Sequence, residues 1–410
     1  MKILKAHRVL LLVLLMVGSI RVWGQDYPWL SHNNLMVEAR GHVGVFWHHH
    51  FEMQRFNARY PAFEASIYQS TYGKNDWESD FFYPYMGVTF YYANFGFNFE
   101  NHPEVGDALG SVFALYPFIN YPLTPGENSQ LTFKLGVGLG YLTKRFHNFD
   151  NYYNFSIGSH LNAAVNLSFE YRQRFTPRLM GVASFGLTHF SNGSTTLPNY
   201  GLNTFSAALG LAYYLRDPRI NQAITRRPEY KPFEFDNKHW LSLDVNYGIG
   251  FKNVSQTLGG DSTHFYRVHD LSTYLLAQFT PHSRAGVGLS LVLDLSDDKT
   301  MPGRDTIFFE TYQLTRLNFN LCYVLTMERL SYYFEFGWHL KYNHIPLFKG
   351  NIYQKVTARY QLSDNIYAHL GLMTHFGRAD YLCFGLGYRF NQKYYFNHEK
   401  STKHRPPGLH

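Results

Sequence analysis

The sequence contains little cysteine and little charge. Its two cysteines, Cys322 and Cys383, are too few for a disulfide scaffold, and we interpret both as small residues that face into the protein. Charged residues make up 16% of the chain, and beyond the N-terminus no run approaches the roughly 20 apolar residues of a membrane-spanning helix. Zinc spacings, phosphate-binding glycine loops and dinucleotide fingerprints are also missing. We therefore expect no metal and no cofactor, and the lack of a compact basic stripe argues against a nucleic-acid partner.

The N-terminus has the pattern of a secretory signal peptide. A basic head that ends at Arg8 precedes the apolar run 9–20, and the small residue Gly24 closes the segment. This run is too short and wrongly flanked for a retained transmembrane helix. We expect residues 1–24 to be removed and the mature chain to be exported.

Aromatic residues are abundant, and apolar residues alternate with polar ones along much of the chain. The sequence has 33 Tyr and 36 Phe, and the alternation is clearest in residues 131–141, 161–170, 241–249 and 334–342. In a membrane barrel the apolar set faces lipid and the polar set faces the lumen. Export, aromatic content and strand-type periodicity together predict an all-β fold, an antiparallel transmembrane β-barrel of a bacterial outer membrane.

About 16 strands follow residue 35, an even number as such barrels require. Tight connections such as 124–126 alternate with longer ones such as 147–158. Short periplasmic turns and long external loops produce this rhythm, so the odd-numbered strands are expected to run outward.

The basic, proline-containing stretch 217–237 divides the strands into halves, residues 25–216 and 238–391. We favour one large barrel in which this stretch is a periplasmic turn. The alternative is two eight-stranded barrel-like units joined by a linker. Residues 392–410 are interpreted as a polar, basic tail.

One hairpin places polar side chains on its apolar face. His189 and Ser191 continue the row of Leu187, and Asn203 heads the apolar row of the next strand. Residues i and i+2 of a strand share a face about 6.6 to 7 Å apart, so a histidine can activate a serine two positions away. Asn203 could orient the histidine through its amide oxygen. The Asn192 side chain or nearby backbone N–H groups could stabilise an oxyanion.

His160 lies at the outer end of the preceding strand, close to this hairpin. By the alternation of the strand its side chain belongs to the face that lines the lumen, so we expect it to brace the hairpin from inside the barrel.

The hairpin contains His189-Phe190-Ser191-Asn192, followed by Pro198-Asn199-Tyr200-Gly201. With these two motifs it resembles the lipid A 3-O-deacylases of bacterial outer membranes (PagL type), also called acyloxyacyl hydrolases. The resemblance covers mainly residues 35–216. It implies Ser191 as the nucleophile, His189 as the base, and an active site on the exterior of the barrel. Asn203 stands where the family has an acidic residue, so Asn203 can orient the base but supplies no charge. In the second motif, Asn199 and Gly201 are interpreted as supporting residues.

The sequence thus predicts an outer-membrane serine esterase that removes an ester-linked acyl chain from lipid A. Its partners would be lipopolysaccharide and the membrane, and a homodimer is a further possibility. The formal charge of +7 is explained either by solvated loops or by attraction to anionic lipid headgroups. A non-catalytic barrel, porin-like or structural, is the alternative from a different class. A phospholipase would use the same residues.

Overall fold

The structure is a computed structural model of the chain. It describes residues 35–48, 51–71, 77–78, 81–124, 126, 128–216, 240–253, 265–280, 282–297, 314–327, 329–341, 350–375 and 378–390. The predicted signal peptide 1–24, the connecting stretch 217–237 and the tail 392–410 lie outside these residues.

The described residues form sixteen β-strands, which confirms the strand number and the all-β class. A 3₁₀ helix (Phe51–Phe56) and a short α-helix, α1 (Pro103–Leu109), lie in connections. In the described part of the chain no helix has the length and apolar character needed to cross a membrane. The strands are β1 (Leu35–Phe46), β2 (Arg59–Ser70), β3 (Tyr85–Asn94), β4 (Ser111–Pro122), β5 (Ser129–Leu142), β6 (Leu161–Arg174), β7 (Leu179–Ser191), β8 (Leu202–Tyr214), β9 (Leu241–Asn253), β10 (Phe265–Thr280), β11 (Ser283–Asp294), β12 (Thr315–Met327), β13 (Leu330–Lys341), β14 (Ile352–Gln361), β15 (Ile366–His375) and β16 (Arg378–Phe390).

The strands close into two antiparallel barrels of eight, β1–β8 and β9–β16. In the first barrel β8 returns to pair with β1, in a register that matches Met36 with Tyr214. In the second, β16 pairs with β9, and Phe390 lies opposite Leu243. This is the alternative arrangement, and the single 16-stranded barrel that we favoured is wrong. Because β1 takes up the hydrogen-bonding groups of β8, β8 has no open edge left for β9.

The two faces of the strands have inverted polarity compared with a soluble sandwich. Side chains alternate between the lumen and the outside along each strand. On the outside, Phe185 is 58% exposed and Leu209 is 73% exposed, whereas Arg40 and Arg172 inside are about 2% exposed or less. Apolar residues outside and charged residues inside are the pattern expected of a barrel whose exterior contacts lipid.

Paired charges fill the lumen of the first barrel. The Arg172 guanidinium donates to Glu38 at 3.0 Å and to Glu170 at 2.8 Å. Arg40 pairs with Glu170 at 2.6 Å, and Lys134 pairs with Glu64. A barrel of eight strands is only wide enough for side chains to fill its interior. These ion pairs close the lumen with protein atoms.

The second barrel is filled in the same way. Near one end Asp244 accepts hydrogen bonds from Arg359 and Arg389, both at 2.9 Å. Near the other end Arg316 donates to Asp294 at 2.6 Å and to Asp380 at 2.9 Å. Both lumens therefore contain balanced clusters of buried charge, which argues against a wide porin-like channel. The two free cysteines, Cys322 and Cys383, are also buried here, as expected.

A hydrophobic cluster closes the first barrel at the end where β7 stops and β8 begins. Phe190 and Leu202 belong to it and are at most 1% exposed. The neighbours of these two residues along β7 and β8 must point the opposite way, out of the barrel. The cluster thereby anchors the strand ends that carry His189, Ser191 and Asn203. Its other buried members are Phe46, Met53, Phe56, Ala58, Tyr60, Ala62, Tyr91, Ala93, Phe95, Val105, Ala108, Leu109, Val112, Ala114, Tyr116, Leu142, Ile157 and Ala164.

Candidate active site

The hairpin β7–β8 brings His189 and Asn203 together on the outer wall of the first barrel. The two residues are direct partners in the strand register, and His189 Nδ1 lies 2.6 Å from Asn203 Oδ1. A carbonyl oxygen can only accept a hydrogen bond, so Nδ1 carries the proton in this pair. The imidazole is held in the tautomer whose Nε2 is basic, which is what a general base requires.

Ser191 is the last residue of β7 and shares the outer face with His189. Residues on the opposite face confirm this parity, since the Thr188 hydroxyl accepts a hydrogen bond from Asn166 at 3.0 Å inside the barrel. Ser191 is only 3% exposed, and Asn192 and Ser194 of the loop that follows β7 are buried as well. The Gly193 N–H donates to Ser191 Oγ at 3.2 Å. The Ser191 hydroxyl and a backbone donor therefore meet in a site that is largely screened from water, and His189 lies two residues away on the same outer face.

The Asn192 side chain holds the loop in place. Its amide nitrogen donates to Ser159 Oγ at 3.0 Å and to the Thr196 carbonyl at 2.8 Å. Asn162, inside the barrel, donates to the Ser159 carbonyl at 2.9 Å, so the chain of contacts runs from the lumen to the loop. With two acceptors engaged, the Asn192 amide serves the loop, and its role as an oxyanion donor stays a prediction.

Asn199 has an amide donor that is still available. Its oxygen accepts the Asn192 N–H at 3.1 Å, which places its side chain beside the residue that follows Ser191. Its Nδ2 is buried and makes no hydrogen bond within the described part of the chain. A buried N–H group without a partner is costly, and it can be satisfied by a ligand that brings an acceptor.

Gly201 lies against the imidazole of His189. Its φ is +79°, a conformation that residues with a Cβ rarely adopt. A Cβ at this position would lie 2.8 Å from His189 Cε1. Glycine at 201 therefore permits both the turn into β8 and the observed position of the imidazole.

His160 does not take the luminal position that its parity predicted. Strand β6 begins only at Leu161, so the alternation does not extend to residue 160. Its ring stacks on Tyr141, an outer-face residue, at 5.4 Å between centroids, and Nδ1 lies 2.7 Å from the Leu142 carbonyl oxygen. Ser159, and not His160, contacts the Asn192 side chain, and Asn162 holds Ser159 from inside the barrel.

Sequence reasoning named Asn192, Asn199, Gly201 and nearby backbone N–H groups of the loop, but it missed the contacts that the second barrel makes there. The Gly193 N–H and the second barrel's contacts with Ser194 and Thr195 follow no strand period. Asn199 was named from its place in the motif Pro198-Asn199-Tyr200-Gly201, but the sequence assigned it no chemical role. Among the residues that the structure describes, no group of three or more His, Cys, Asp or Glu could hold a metal ion.

Comparisons with known structures find similar barrels. The outer membrane enzyme PagL is 14% identical, with 42% of this chain and 97% of that chain covered and a TM-score of 0.30. Neisserial surface protein A is 10% identical over 44% of this chain and 96% of that one, also at 0.30. A mutant porin of Rh. blastica scores 0.16 at 7% identity, over 87% of this chain and 99% of that one. These scores are too low to support an argument, and no curated protein matches the chain.

Two family models match the chain, one on each barrel. Residues 61–212 match the lipid A 3-O-deacylase (PagL) model, and this range includes β7, most of β8 and the three residues of the proposed site. Residues 241–392 match the model of the acyloxyacyl hydrolase C-terminal domain, which spans the second barrel. The chain belongs to the family of lipid A 3-O-deacylases (PagL), with an acyloxyacyl hydrolase C-terminal domain as its second barrel.

Proposed function

We propose that the protein is an outer-membrane serine esterase that removes an ester-linked acyl chain from lipid A. The observation that carries the proposal is the His189–Asn203 pair at 2.6 Å, with Ser191 two residues along the same outer face. A site on the outer wall of a barrel suits a substrate that lies in the membrane beside it. The matched PagL model supplies the substrate class.

The membrane location is supported by the shape and polarity of the barrels. Strands run from ten residues in β3, β14 and β15 to sixteen in β10, and a tilted strand crosses a bilayer in about 9 to 11 residues. Exposed apolar side chains cover the outside of both barrels. With β7 running outward, the site lies at the external rim, level with the leaflet that contains lipid A.

In the first half of the reaction Ser191 Oγ attacks the ester carbonyl carbon, and His189 Nε2 accepts the hydroxyl proton. The Gly193 N–H already points at Oγ, so it lies within reach of the carbonyl oxygen as that oxygen becomes negative. The unpaired Asn199 Nδ2 is a second donor for the same oxygen. Collapse of the tetrahedral intermediate breaks the ester bond, and His189 gives its proton to the departing sugar oxygen.

In the second half water attacks the acyl-enzyme. His189 accepts a proton from the water, the Ser191 ester bond breaks, and Ser191 Oγ recovers that proton as the fatty acid leaves. Throughout the cycle Asn203 keeps Nδ1 protonated and Nε2 available for proton transfer. Because Asn203 is neutral, it stabilises the transient imidazolium less than a carboxylate would.

Next to the site, aromatic rings form an apolar surface on the outer wall. Phe185 and Phe205 stack in parallel at 5.8 Å, and Trp47 lies 5.4 Å from Phe205. Phe205 follows Asn203 by two residues on the same face of β8. This surface offers the acyl chain of a lipid an apolar contact directly beside the nucleophile.

Mass spectrometry of lipid A from cells that express the wild type or Ser191→Ala tests the proposal. We expect lipid A to lose one hydroxyacyl chain with the wild type and to stay intact with the variant. Unchanged lipid A in both, with folded protein in the membrane, contradicts the substrate assignment. Phospholipids are then the next substrates to test.

The neutral Asn203 is the observation that favours the second candidate, a barrel without catalytic activity. A fluorophosphonate probe separates the two candidates without a lipid substrate. A competent site forms a bond from Ser191 Oγ to phosphorus, releases fluoride and passes its proton to His189. A non-catalytic barrel leaves wild type and Ser191→Ala equally unlabelled.

A further inference from the structure

We propose that the second barrel positions the nucleophile of the first. Its outer rim, formed by the end of β9 and the start of β16, holds residues 193–195 in the conformation in which the Gly193 N–H reaches Ser191 Oγ. This inference rests on the proposed function, and it gives the second barrel a role in the same reaction.

Hydrogen bonds join the rim to the loop that follows Ser191. The Ser194 hydroxyl donates to the Ala379 carbonyl at 2.8 Å, and the Asn253 N–H donates to the Ser194 carbonyl at 3.1 Å. The Asn253 side-chain amide donates to the Thr195 carbonyl at 3.5 Å. Ser194 and Asn253 are 7% and 6% exposed, so water has little access to these bonds. Two consecutive loop residues are thus held by the other barrel.

The rim also packs on the residue whose N–H touches the nucleophile. A Cβ at Gly193 would lie 2.5 Å from Leu382 Cδ1, so this leucine lies directly against the Gly193 backbone. Leu382 is on the outer face of β16, between the buried Tyr381 and Cys383. A movement of β16 would therefore shift Leu382 and change the space in which the Gly193 N–H is held.

The backbone of the loop explains why it needs an external support. Gly193 and Ser194 have φ values of +63° and +64°. The left-handed region suits glycine but is sparsely populated by a residue with a Cβ, such as serine. Such conformations persist where the surroundings over-determine them, and they concentrate at functional sites. At Ser194 the second barrel binds both the side chain and the carbonyl oxygen.

A separate contact near the opposite ends of the strands keeps the barrels together. Tyr121, close to the end of β4, donates from its hydroxyl to Met327 Sδ at 3.3 Å. The Phe81 and His282 rings lie 5.9 Å apart, and Trp77, Ile119 and Met327 form a buried apolar cluster. Contacts near both ends of the strands restrict tilting of one barrel against the other, so the rim has a defined height relative to the Ser191 loop.

The test measures how fast a fluorophosphonate modifies Ser191 in the full-length protein in detergent micelles. The variants are Ser194→Ala, which removes the hydroxyl donor to Ala379, and Leu382→Ala, which removes the side chain packed on Gly193. Leu386→Ala is the matched control, because Leu386 lies on the same face of β16 and is 58% exposed. Leu382→Met keeps the side-chain volume and serves as the conservative rescue.

We expect Ser194→Ala and Leu382→Ala to lower the first-order inactivation constant about 10- to 100-fold, since misplacing a catalytic group by roughly 1 Å has effects of this size. The probe concentration for half-maximal rate should stay unchanged, and Leu386→Ala and Leu382→Met should react like the wild type. A merely structural defect would lower the labelled fraction without slowing the folded molecules. Equal rates in all variants overturn the positioning role, whereas a wild type that does not react at Ser191 overturns the proposed function and the inference with it.

Discussion

Replacing Asn203 with aspartate should accelerate the reaction. Asp has the same length as Asn, so its carboxylate occupies the place of an amide oxygen that lies 2.6 Å from His189 Nδ1. The pair then becomes charge-assisted when His189 takes the proton of Ser191, and hydrogen bonds with an ionised partner are roughly twice as strong as neutral ones. The added charge stabilises the transition state more than the ground state, which is the condition for a higher kcat.

The size of the effect follows from two opposing contributions. Opposite unit charges about 4 Å apart attract by about 4 kcal/mol at the effective dielectric constant near a protein surface. Asn203 is 5% exposed, so removing water from a carboxylate at this position offsets part of that attraction. A net gain of about 1 to 3 kcal/mol corresponds to roughly a 5- to 150-fold increase in kcat.

The assay is the initial rate of fatty acid release from purified lipid A in mixed micelles. Asn203→Leu is the matched control, since it keeps the approximate volume and removes the acceptor. Its kcat should fall by roughly 100-fold or more, because the imidazole loses the group that selects its tautomer. Heat-dependent mobility on gels checks that each barrel is folded. A rate that falls in Asn203→Asp, or that is unchanged in Asn203→Leu, would refute the assignment of Asn203 as the orienting residue.

Two further predictions concern a donor and a luminal ion pair. Asn199→Leu should lower kcat by about 10²- to 10³-fold with little change in KM, because it removes a donor to the oxyanion. Steady-state kinetics would measure this effect, and a change confined to KM would contradict the role of Asn199 as a donor. Arg172→Met should destabilise the first barrel by about 3 to 5 kcal/mol, because Glu38 and Glu170 keep buried charge without this partner. Urea unfolding in lipid vesicles measures this loss of stability, and Leu209→Ala on the exposed face is the control. Equal urea midpoints for the two variants would show that the ion pair adds no stability.

The alternation of apolar and polar residues predicted the ends of the hairpin strands and the residues that share a face. Strand β7 ends at Ser191 and β8 begins at Leu202, as the alternation in the hairpin indicated. Parity and the family resemblance placed Asn203 across the hairpin on the face of His189, and the register makes the two residues direct partners. Periodicity alone does not say which face is inside; together with the signal-peptide pattern and the aromatic content it predicted that polar residues face inward and apolar residues outward.

Closure and loop geometry could not be predicted in this way. Sixteen alternating strands are compatible with one closed sheet or with two, because parity says nothing about which distant strand pairs with β1. The loop between Ser191 and Leu202 has no period, so the position of the Asn199 amide depends on contacts from Asn192 and its neighbours. At His160 the strand had not yet begun, and the parity argument was applied one residue too early.

The separate closure of each barrel affects how the chain assembles. Joining β1 to β8 connects residues such as Met36 and Tyr214, whereas a single barrel would have to join β1 to β16 across almost twice as much chain. The entropy saved is small, since each doubling of a closed loop costs only about 0.6 kcal/mol. The larger gain lies in the intermediates: once β8 has met β1, the first barrel offers no unpaired strand edge while the second is still forming, and edges of that kind are where chains misassemble and aggregate.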